Sequence, residues 1–322
     1  MSATYIDEID AIILKRLLSE SRTSFTELAK ECNISVVAVR MRYKNLWKKG
    51  IINGEIMLVN PFSLGYKYIC MIGITTDKQN EDTVREFIRK LRYPAVIQGG
   101  RFGKYNLSTE VALKNIEQIS NIQRTIEANP LIKNSDAFIW SENAIPEFPD
   151  KLAIKPFEGK GHKPMTVKQI EIQMDETDRE IAKILANTSR MSFRKIGEHL
   201  NISTKNVIER YKRLRGSVLT LSTITVDLNK LGYRAGAFLL IKLANKSKIS
   251  DVETQLLRIP NLIVLVKYIG LYDMFAHVVF EDFQNYFKIE NEVKRIQHID
   301  QIEISIVPSF PAWPPNIFAS LL

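Results

Sequence analysis

Residues 7–46 read DEIDAIILKRLLSESRTSFTELAKECNISVVAVRMRYKNL, and residues 175–214 read DETDREIAKILANTSRMSFRKIGEHLNISTKNVIERYKRL. At a constant offset of 168 and without a gap, 18 of these 40 positions are identical, so the chain carries an internal repeat. Apolar residues recur at helical spacing in each copy and are interrupted by Ser-Arg-x-Ser and by Asn-Ile-Ser. This pattern predicts three short helices separated by tight turns, and three helices in about 40 residues is the size of a helix-turn-helix module.

Capping residues in the first copy support this interpretation. Asp7 is placed to cap the first helix. Ser24 and Glu27 have capping-box spacing, which predicts a second helix from Phe25 to Cys32. Ser35 follows an Asn-Ile turn and is placed to cap the third helix. The equivalent helix-boundary residues in the second copy are Ser192, Asn201 and Ser203.

The third helix of each copy is expected to present its N-terminal half outward, because only a helix-sized probe reaches base edges in the major groove. The predicted DNA-contacting residues are Ser35, Val36, Val37, Arg40, Met41 and Lys44 in the first copy, and Ser203, Thr204, Lys205, Asn206, Arg210 and Lys212 in the second. The alternatives are a plain three-helix bundle with a solvated basic face and a general binder without sequence preference. Because the unit occurs twice, we favour DNA binding over these alternatives.

The two predicted reading faces differ in chemistry. The first is mostly apolar apart from two cations, and such a face suits thymine methyls and phosphates. The second carries hydroxyl, amide, ammonium and carboxylate groups, which pair with base edges. These differences predict an asymmetric site read chiefly by the second copy, with half-sites about 10 bp apart within one chain.

Charge and composition agree with a nucleic-acid partner. The net charge is +9. Residues 1–150 hold 20 basic and 18 acidic side chains, a net of +2, whereas residues 151–322 hold 25 and 18, a net of +7. A basic surface attracts phosphate regardless of sequence. Double-stranded DNA is therefore the expected partner.

Several other classes of protein are disfavoured. No apolar run approaches the ~20 residues needed to span a bilayer, and the N-terminus lacks a signal-peptide layout, so we expect a cytoplasmic protein without a membrane partner. Cys32 and Cys70 are too few for a disulfide scaffold, and no Cys/His cluster has metal-ligand spacing. No catalytic motif stands out, and we expect neither a catalytic residue nor a cofactor.

After the third helix, a short alternating run at residues 52–59 is closed by Asn60-Pro61. This run predicts a hairpin, the wing of a winged helix-turn-helix. The second copy carries a comparable segment, LRGSVLTLSTITVDLNKLGY at residues 214–233, which is one residue shorter between the helix and the shared Leu-Gly-Tyr. Both hairpins are expected near the DNA backbone.

The remainder of each copy predicts the order βαββαβ, a ferredoxin-like antiparallel sheet with both helices on one face. Such apolar strands do not leave the other face in water, so we expect the two sheets to cover each other face to face. The fold class is thus α+β, with two tandem copies of a winged helix-turn-helix and a ferredoxin-like domain. The predicted domains are 1–60 and 174–228 for the winged helices, 61–143 and 229–322 for the ferredoxin-like domains, and 144–173 for an extended Pro-containing linker. The Pro-rich C-terminus is expected to fold back over its own domain.

The order of D-E-x-D, S-x-x-S-F, N-I-S, R-Y-K-x-L, L-G-Y and G-L-Y-D resembles the Lrp/AsnC family of prokaryotic transcription regulators, present as two fused copies. The resemblance implies a winged helix that binds DNA and a ferredoxin-like domain that senses amino acids or related small molecules. It also implies pairing through the ferredoxin-like domains, here as an intrachain pseudo-dimer, and assembly into higher homo-oligomers.

The resemblance further implies an effector region at the turn Gly270-Leu271-Tyr272-Asp273, with Gly270, Tyr272 and Asp273 as contacting residues. The first copy reads Gly103-Lys104-Tyr105-Asn106 at this turn, so Gly103 and Tyr105 are the equivalent candidates. An amide there replaces the carboxylate that would contact an amino group. We therefore do not expect both copies to bind the same ligand.

An enzyme is the competing class. Siroheme decarboxylases share this two-domain layout in paired or fused copies, and decarboxylation of a tetrapyrrole acid requires proton donors. The four histidines do not cluster in sequence, and the His-containing C-terminal motif of those enzymes has no counterpart. His277, in an apolar strand, is better explained as a core or interface residue. The four are His162, His199, His277 and His298.

Overall fold

The structure is a computed structural model that describes residues 6–91, 95–99, 103–142, 144–146, 152 and 171–322. Most of the predicted linker, including His162, lies outside these residues. The described residues form two compact units. The helical unit falls within Met1–Gly65, Lys151–Gly232 and Phe310–Leu322, and the sheet unit falls within Tyr66–Asp150 and Tyr233–Ser309.

The helical unit contains both predicted helix-turn-helix modules. In the first copy the helices are α1 (Glu8–Ser19), α2 (Phe25–Cys32) and α3 (Val36–Lys48). The predicted caps are confirmed, because the side chains of Asp7, Ser24 and Ser35 each accept a backbone N–H at the start of the helix that follows. Asn33 ends α2 at φ 52°, a left-handed conformation that asparagine tolerates better than most residues.

The second copy repeats this plan. Its helices, numbered in chain order, are α6 (Glu176–Asn187), α7 (Phe193–Leu200) and α8 (Thr204–Leu214). Apolar residues at helical spacing fill the core of each module. In the first copy Ile13, Leu17 and Val39 are fully buried, and their counterparts Ile181, Leu185 and Val207 are also fully buried.

The strand after each third helix does not form the predicted hairpin. Strand β1 (Ile52–Val59) pairs antiparallel with β7 (Leu219–Val226), which is the same segment of the other copy. Each copy supplies a single strand here, since Asn60-Pro61 turns the chain into a short 3-10 helix directly after β1. The prediction of two separate wing hairpins is therefore wrong, and one two-stranded ribbon joins the modules.

The C-terminal tail also departs from its predicted place. Residues 310–322 belong to the helical unit rather than to the second ferredoxin-like domain. Trp313 exchanges both backbone hydrogen bonds with Val226 of β7. The Asn316 amide nitrogen donates to the carbonyls of Met57 and Ala186, at 2.8 and 2.9 Å. The tail thus satisfies backbone groups of both copies.

The sheet unit confirms the βαββαβ order in each copy. The first copy contains β2 (Tyr68–Thr76), α4 (Glu81–Lys90), β3 (Ala95–Gly99), β4 (Leu107–Leu113), α5 (Glu117–Glu127) and β5 (Ile132–Trp140). A short strand β6 (Ile145–Pro146) follows. The second copy contains β8 (Ala235–Leu243), α9 (Ile249–Leu256), β9 (Leu262–Ile269), β10 (Met274–Phe280), α10 (Phe283–Lys294) and β11 (Ile299–Pro308).

The two four-stranded sheets join edge to edge. The strand order is β11-β8-β10-β9-β5-β2-β4-β3, and the junction pairs Ile139 with Ile269 and Trp140 with Tyr268. The faces without helices also meet, since the Lys104 N–H, just before β4, donates to Glu303 of β11 at 2.7 Å although the two lie near opposite ends of this strand order. The copies therefore cover each other as expected, but the shared edge was not predicted.

Among the described residues, no helix has the length and apolar content of a membrane span.

Candidate nucleic-acid interface

The third helix of the first copy presents a mainly apolar outer face. Val37 and Met41 are 68% and 61% exposed, and Val36 is also exposed. Arg40 and Lys44 add two exposed cations to the same face. Ser35 lies at the exposed N-terminus, where its hydroxyl accepts the Ala38 N–H at 3.1 Å. All six residues predicted in this copy are therefore accessible.

The third helix of the second copy presents a polar outer face. Thr204, Lys205 and Lys212 are exposed, and so is the N-cap residue Ser203. Lys205 and Lys212 form no ion pair with any carboxylate among the residues that the structure describes. Both ammonium groups are thus available to an anionic partner.

Arg210 does not fit the predicted role. Its guanidinium donates to Asp175, the cap of α6, at 2.7 Å and to the fully buried Asp178 at 2.8 Å. The hydrogen bond from Arg210 lowers the pKa of Asp175 below its usual value. Arg210 also donates from Nε to the Asn206 side-chain oxygen at 2.7 Å, which leaves the Asn206 amide nitrogen as the free donor. Arg210 holds α8 against α6 and is removed from the predicted interface.

The first copy contains the same ion pair. Arg42, 168 residues before Arg210, donates to Asp7 at 2.7 Å and to Asp10 at 2.8 Å. The repeat therefore held a usable signal, because an Asp-x-x-Asp pair and an arginine recur at identical spacing in both copies. An arginine that recurs together with two aspartates at fixed spacing is explained by an ion pair between them inside each copy.

The predicted effector turns of the two copies come close together in the sheet unit. The rings of Tyr105 and Tyr272 both pack on Phe138, at 5.7 and 6.0 Å. The Tyr105 hydroxyl donates to Asp136 at 2.7 Å. Burial, together with the carboxylates of Glu303 and Asp136, raises the pKa of Tyr272. The two turns thus share one aromatic and acidic neighbourhood.

Both turns need glycine because the other copy lies against them. A Cβ on Gly270 would lie 3.0 Å from the carbonyl oxygen of Ala137 in β5. A Cβ on Gly103 would collide with the side chain of Ser305 in β11. Each glycine permits its turn to approach the last strand of the opposite copy.

Asp273 does not have the role implied for it. It is 3% exposed, one carboxylate oxygen accepts the Leu243 N–H at 2.8 Å, and the other pairs with Lys246 at 2.8 Å. In the first copy the Asn106 side-chain oxygen accepts the equivalent N–H of Thr76 at 2.9 Å. Both residues tie down the end of a neighbouring strand, so the amide does not mark the loss of a ligand contact.

Three family descriptions match parts of the chain. Residues 6–53 match a winged helix-turn-helix DNA-binding domain, residues 174–215 match the AsnC-type helix-turn-helix domain, and residues 236–311 match the Lrp/AsnC ligand binding domain. These ranges fall on α1–α3, on α6–α8 and on the second ferredoxin-like sheet.

Curated relatives of this chain are named as helix-turn-helix transcriptional regulators. The HTH-type transcriptional regulator LrpA of Pyrococcus horikoshii is 42% identical over 88 residues, which cover 27% of this chain and 62% of LrpA. The chain therefore spans less than two thirds of that relative. An uncharacterized HTH-type transcriptional regulator of Pyrococcus abyssi is 31% identical over 145 residues, which cover 44% of this chain and 91% of the relative.

Solved structures of a siroheme decarboxylase match almost the whole chain. The crystal structure of the siroheme decarboxylase NirDL covers 98% of this chain and 97% of its own, with a TM-score of 0.66 and 14% sequence identity. At this identity the match shows a shared fold alone.

Proposed function

Since this chain belongs to the Lrp/AsnC family of transcription regulators, we propose that it is a sequence-specific DNA-binding regulator whose DNA affinity responds to an amino acid or a related small molecule. The observation that carries this proposal is the pair of capped third helices, α3 and α8, each exposing its N-terminal half. An exposed helix end of this kind is what enters the major groove in helix-turn-helix proteins.

The second copy supplies most of the base reading in this proposal. Lys205 and the amide nitrogen of Asn206 are hydrogen-bond donors suited to purine edges, and Thr204 adds a hydroxyl. In the first copy, Val37 and Met41 offer apolar contact instead, while Arg40 and Lys44 suit phosphates. Ser35 and Ser203 cap their helices and remain exposed beside these groups.

In vitro selection from random duplexes with the full chain tests this proposal. We expect an enriched asymmetric sequence, and the double variant Lys205→Ala/Asn206→Ala should relax its base preference more than Arg40→Ala does. Lys248→Ala, an exposed lysine of the sheet unit paired with Asp251, is the matched control and should change nothing. Equal affinity for all duplexes at matched salt contradicts the proposal.

The effector is proposed to act at the two turns that meet around Phe138. Gly103 with Tyr105 and Gly270 with Tyr272 form this region, whereas Asp273 is occupied internally. A ligand that binds one arrangement of the copies better than another shifts DNA affinity by that difference. Calorimetric titration with the amino acids, followed by DNA binding with and without each ligand found, tests this step. A ligand that binds tightly and leaves both DNA affinity and assembly unchanged contradicts it.

The fold shared with a siroheme decarboxylase defines the competing function. His277 is 2% exposed, and burial lowers its pKa to about 3, so it is a poor proton donor at neutral pH. The curated relatives described above are named as transcriptional regulators. Anaerobic incubation with siroheme, followed by absorbance spectroscopy, separates the two functions. A change in the siroheme absorbance spectrum that occurs only when the protein is present would favour the decarboxylase function.

A further inference from the structure

The Ser-Arg dipeptide that recurs in both copies joins the two helix-turn-helix modules. The Ser21 and Ser189 hydroxyls occupy equivalent positions 168 residues apart and lie 2.7 Å from each other. Both serines are fully buried. The Ser21 N–H donates to Ser222 of β7, and the Ser189 N–H donates to Glu55 of β1, each at 2.8 Å. Each serine is thus anchored to the strand of the other copy.

The adjacent arginines cross between the copies. Arg22 donates to the backbone carbonyls of Ser189 and, at 3.2 Å, of Met191. Arg190 donates to the backbone carbonyls of Ser21 and, at 3.1 Å, of Thr23. Each residue of one set lies 168 positions from its counterpart in the other, so exchanging the two copies converts one set of contacts into the other. We name these four residues, Ser21, Arg22, Ser189 and Arg190, the Ser-Arg clasp.

Each arginine also reaches the third helix of the opposite copy. The Arg22 guanidinium lies 4.3 Å from the ring centroid of Phe193 and 5.6 Å from that of Tyr211 in α8. The Arg190 guanidinium lies 5.0 Å from the ring centroid of Phe25 and 5.5 Å from that of Tyr43 in α3. Planar guanidinium groups stack on aromatic faces in this way. The clasp therefore links the first copy to α8 of the second and the second copy to α3 of the first, and these are the two helices proposed to enter the major groove.

We propose that Arg22 and Arg190 are positioning residues that fix the distance and angle between α3 and α8, so that one chain accepts two half-sites only at a single spacing. This inference rests on the proposed DNA-binding function and adds a geometric rule to it. The two half-sites bound by a pair of helix-turn-helix modules must fall on the same face of the duplex. The more rigidly α3 and α8 are held relative to each other, the fewer distances between half-sites the chain accepts.

Lysine in place of both arginines is the sharpest test. Lysine keeps the charge, but it lacks the planar group that bonds two carbonyls while stacking on a ring. The duplex selected by the wild-type chain is compared with versions that carry 1, 2 or 5 additional base pairs between the half-sites. Fluorescence anisotropy at fixed salt gives each dissociation constant, and circular dichroism checks that each variant is folded.

For the wild-type chain we expect the insertion of 5 bp to weaken binding about tenfold or more, because half a helical turn places one half-site on the far side of the duplex. For Arg22→Lys/Arg190→Lys we expect a penalty of less than about threefold, with binding to an isolated half-site unchanged. Arg194→Lys is the matched control, since this exposed arginine of α7 pairs with Glu198 of its own helix. It should retain the full penalty.

A folded double variant that keeps the wild-type spacing penalty overturns the role of the clasp while leaving the proposed function intact. A wild-type chain that binds no duplex selectively overturns both. If the double variant does not fold, Arg22→Lys and Arg190→Lys are measured singly. Each should show an intermediate loss of affinity on the 5-bp insertion, because one of the two arginines remains. A full penalty in both single variants overturns the inference.

Discussion

Glu110 of β4 and His277 of β10 occupy the same position in the two copies of the sheet unit, 167 residues apart. Glu110 pairs with Met71 of β2, and His277 pairs with Phe238 of β8, which is also 167 residues beyond Met71. Both side chains are buried, at 6% and 2% exposure. The repeat thus placed an acid in one copy and a base in the other at equivalent interior sites.

Glu110 should make the sheet unit less stable as pH rises. Burial raises its pKa from 4.5 to about 7, and Oε2 of its carboxyl has no hydrogen-bond partner among the described residues. The unfolded chain therefore loses this proton before the folded chain does, and stability falls between pH 4.5 and 7 by up to about 3 kcal/mol. Glu110→Gln should remove this contribution, so the variant should gain stability relative to the wild-type chain between pH 5 and pH 8 in urea denaturation.

The matched control is Glu117→Gln, which changes an exposed carboxylate on α5. It should keep the wild-type dependence of stability on pH. His277 acts in the opposite direction, because its pKa is lowered from 6.5 to about 3 and its contribution to stability is lost as pH falls through that window. If Glu110→Gln shows the same slope as the wild-type chain between pH 5 and 8, the carboxyl is not buried in solution.

Arg210 should contribute to stability rather than to base preference. Removing its guanidinium leaves the fully buried Asp178 with fewer partners, so Arg210→Ala should lower the free energy of unfolding by about 1–3 kcal/mol. Lys212→Ala, a change on the same helix at an exposed position, should leave stability within about 0.5 kcal/mol and weaken DNA binding. Chemical denaturation and anisotropy measure the two effects. A selective loss of base preference in a fully stable Arg210→Ala variant would return this residue to the interface.

Local signals were sufficient for the secondary structure. Capping residues predict α2 at Phe25–Cys32 and alternation predicts a strand at residues 52–59, and the structure has both with these bounds, because both signals depend on neighbours close in sequence. The outward positions of α3 also followed from helical periodicity alone. Local rules therefore predicted which side chains are exposed on the candidate interface.

Contacts between the copies were beyond these signals. An alternating run such as residues 52–59 is compatible with a hairpin or with pairing to a distant strand, and the sequence does not distinguish them. Arg22 and Arg190 lie in predicted turns, and their partners are more than 160 residues away in sequence, where local signals do not reach. The resemblance implies an effector role for Asp273, whereas its internal partner, the backbone N–H of Leu243, carries no sequence signature.

Asn316 should stabilise the helical unit from the C-terminal tail. Its side chain donates to Met57 and Ala186 and accepts the Val59 N–H at 3.3 Å. Asn316→Ala leaves these groups with fewer partners and should cost about 1–3 kcal/mol in chemical denaturation. Asn245→Ala, which removes a cap on the sheet unit, is a control for losing an asparagine elsewhere. Equal protease resistance of tail residues in the Asn316→Ala and wild-type chains would contradict a role for this contact.

Val37 and Met41 should read thymine methyl groups. Both side chains are more than half exposed on α3, and burying one methyl group contributes about 0.8 kcal/mol, or roughly fourfold in affinity. Duplexes of the selected sequence in which deoxyuridine replaces thymine in one half-site at a time remove those methyls and leave base pairing intact. We expect a loss of about fourfold per contacted methyl in one half-site. Val37→Ser/Met41→Ser should abolish this loss, whereas Lys205→Ala on α8 should retain it. Identical penalties in the wild-type and Val37→Ser/Met41→Ser chains would show that the apolar face of α3 contacts no thymine.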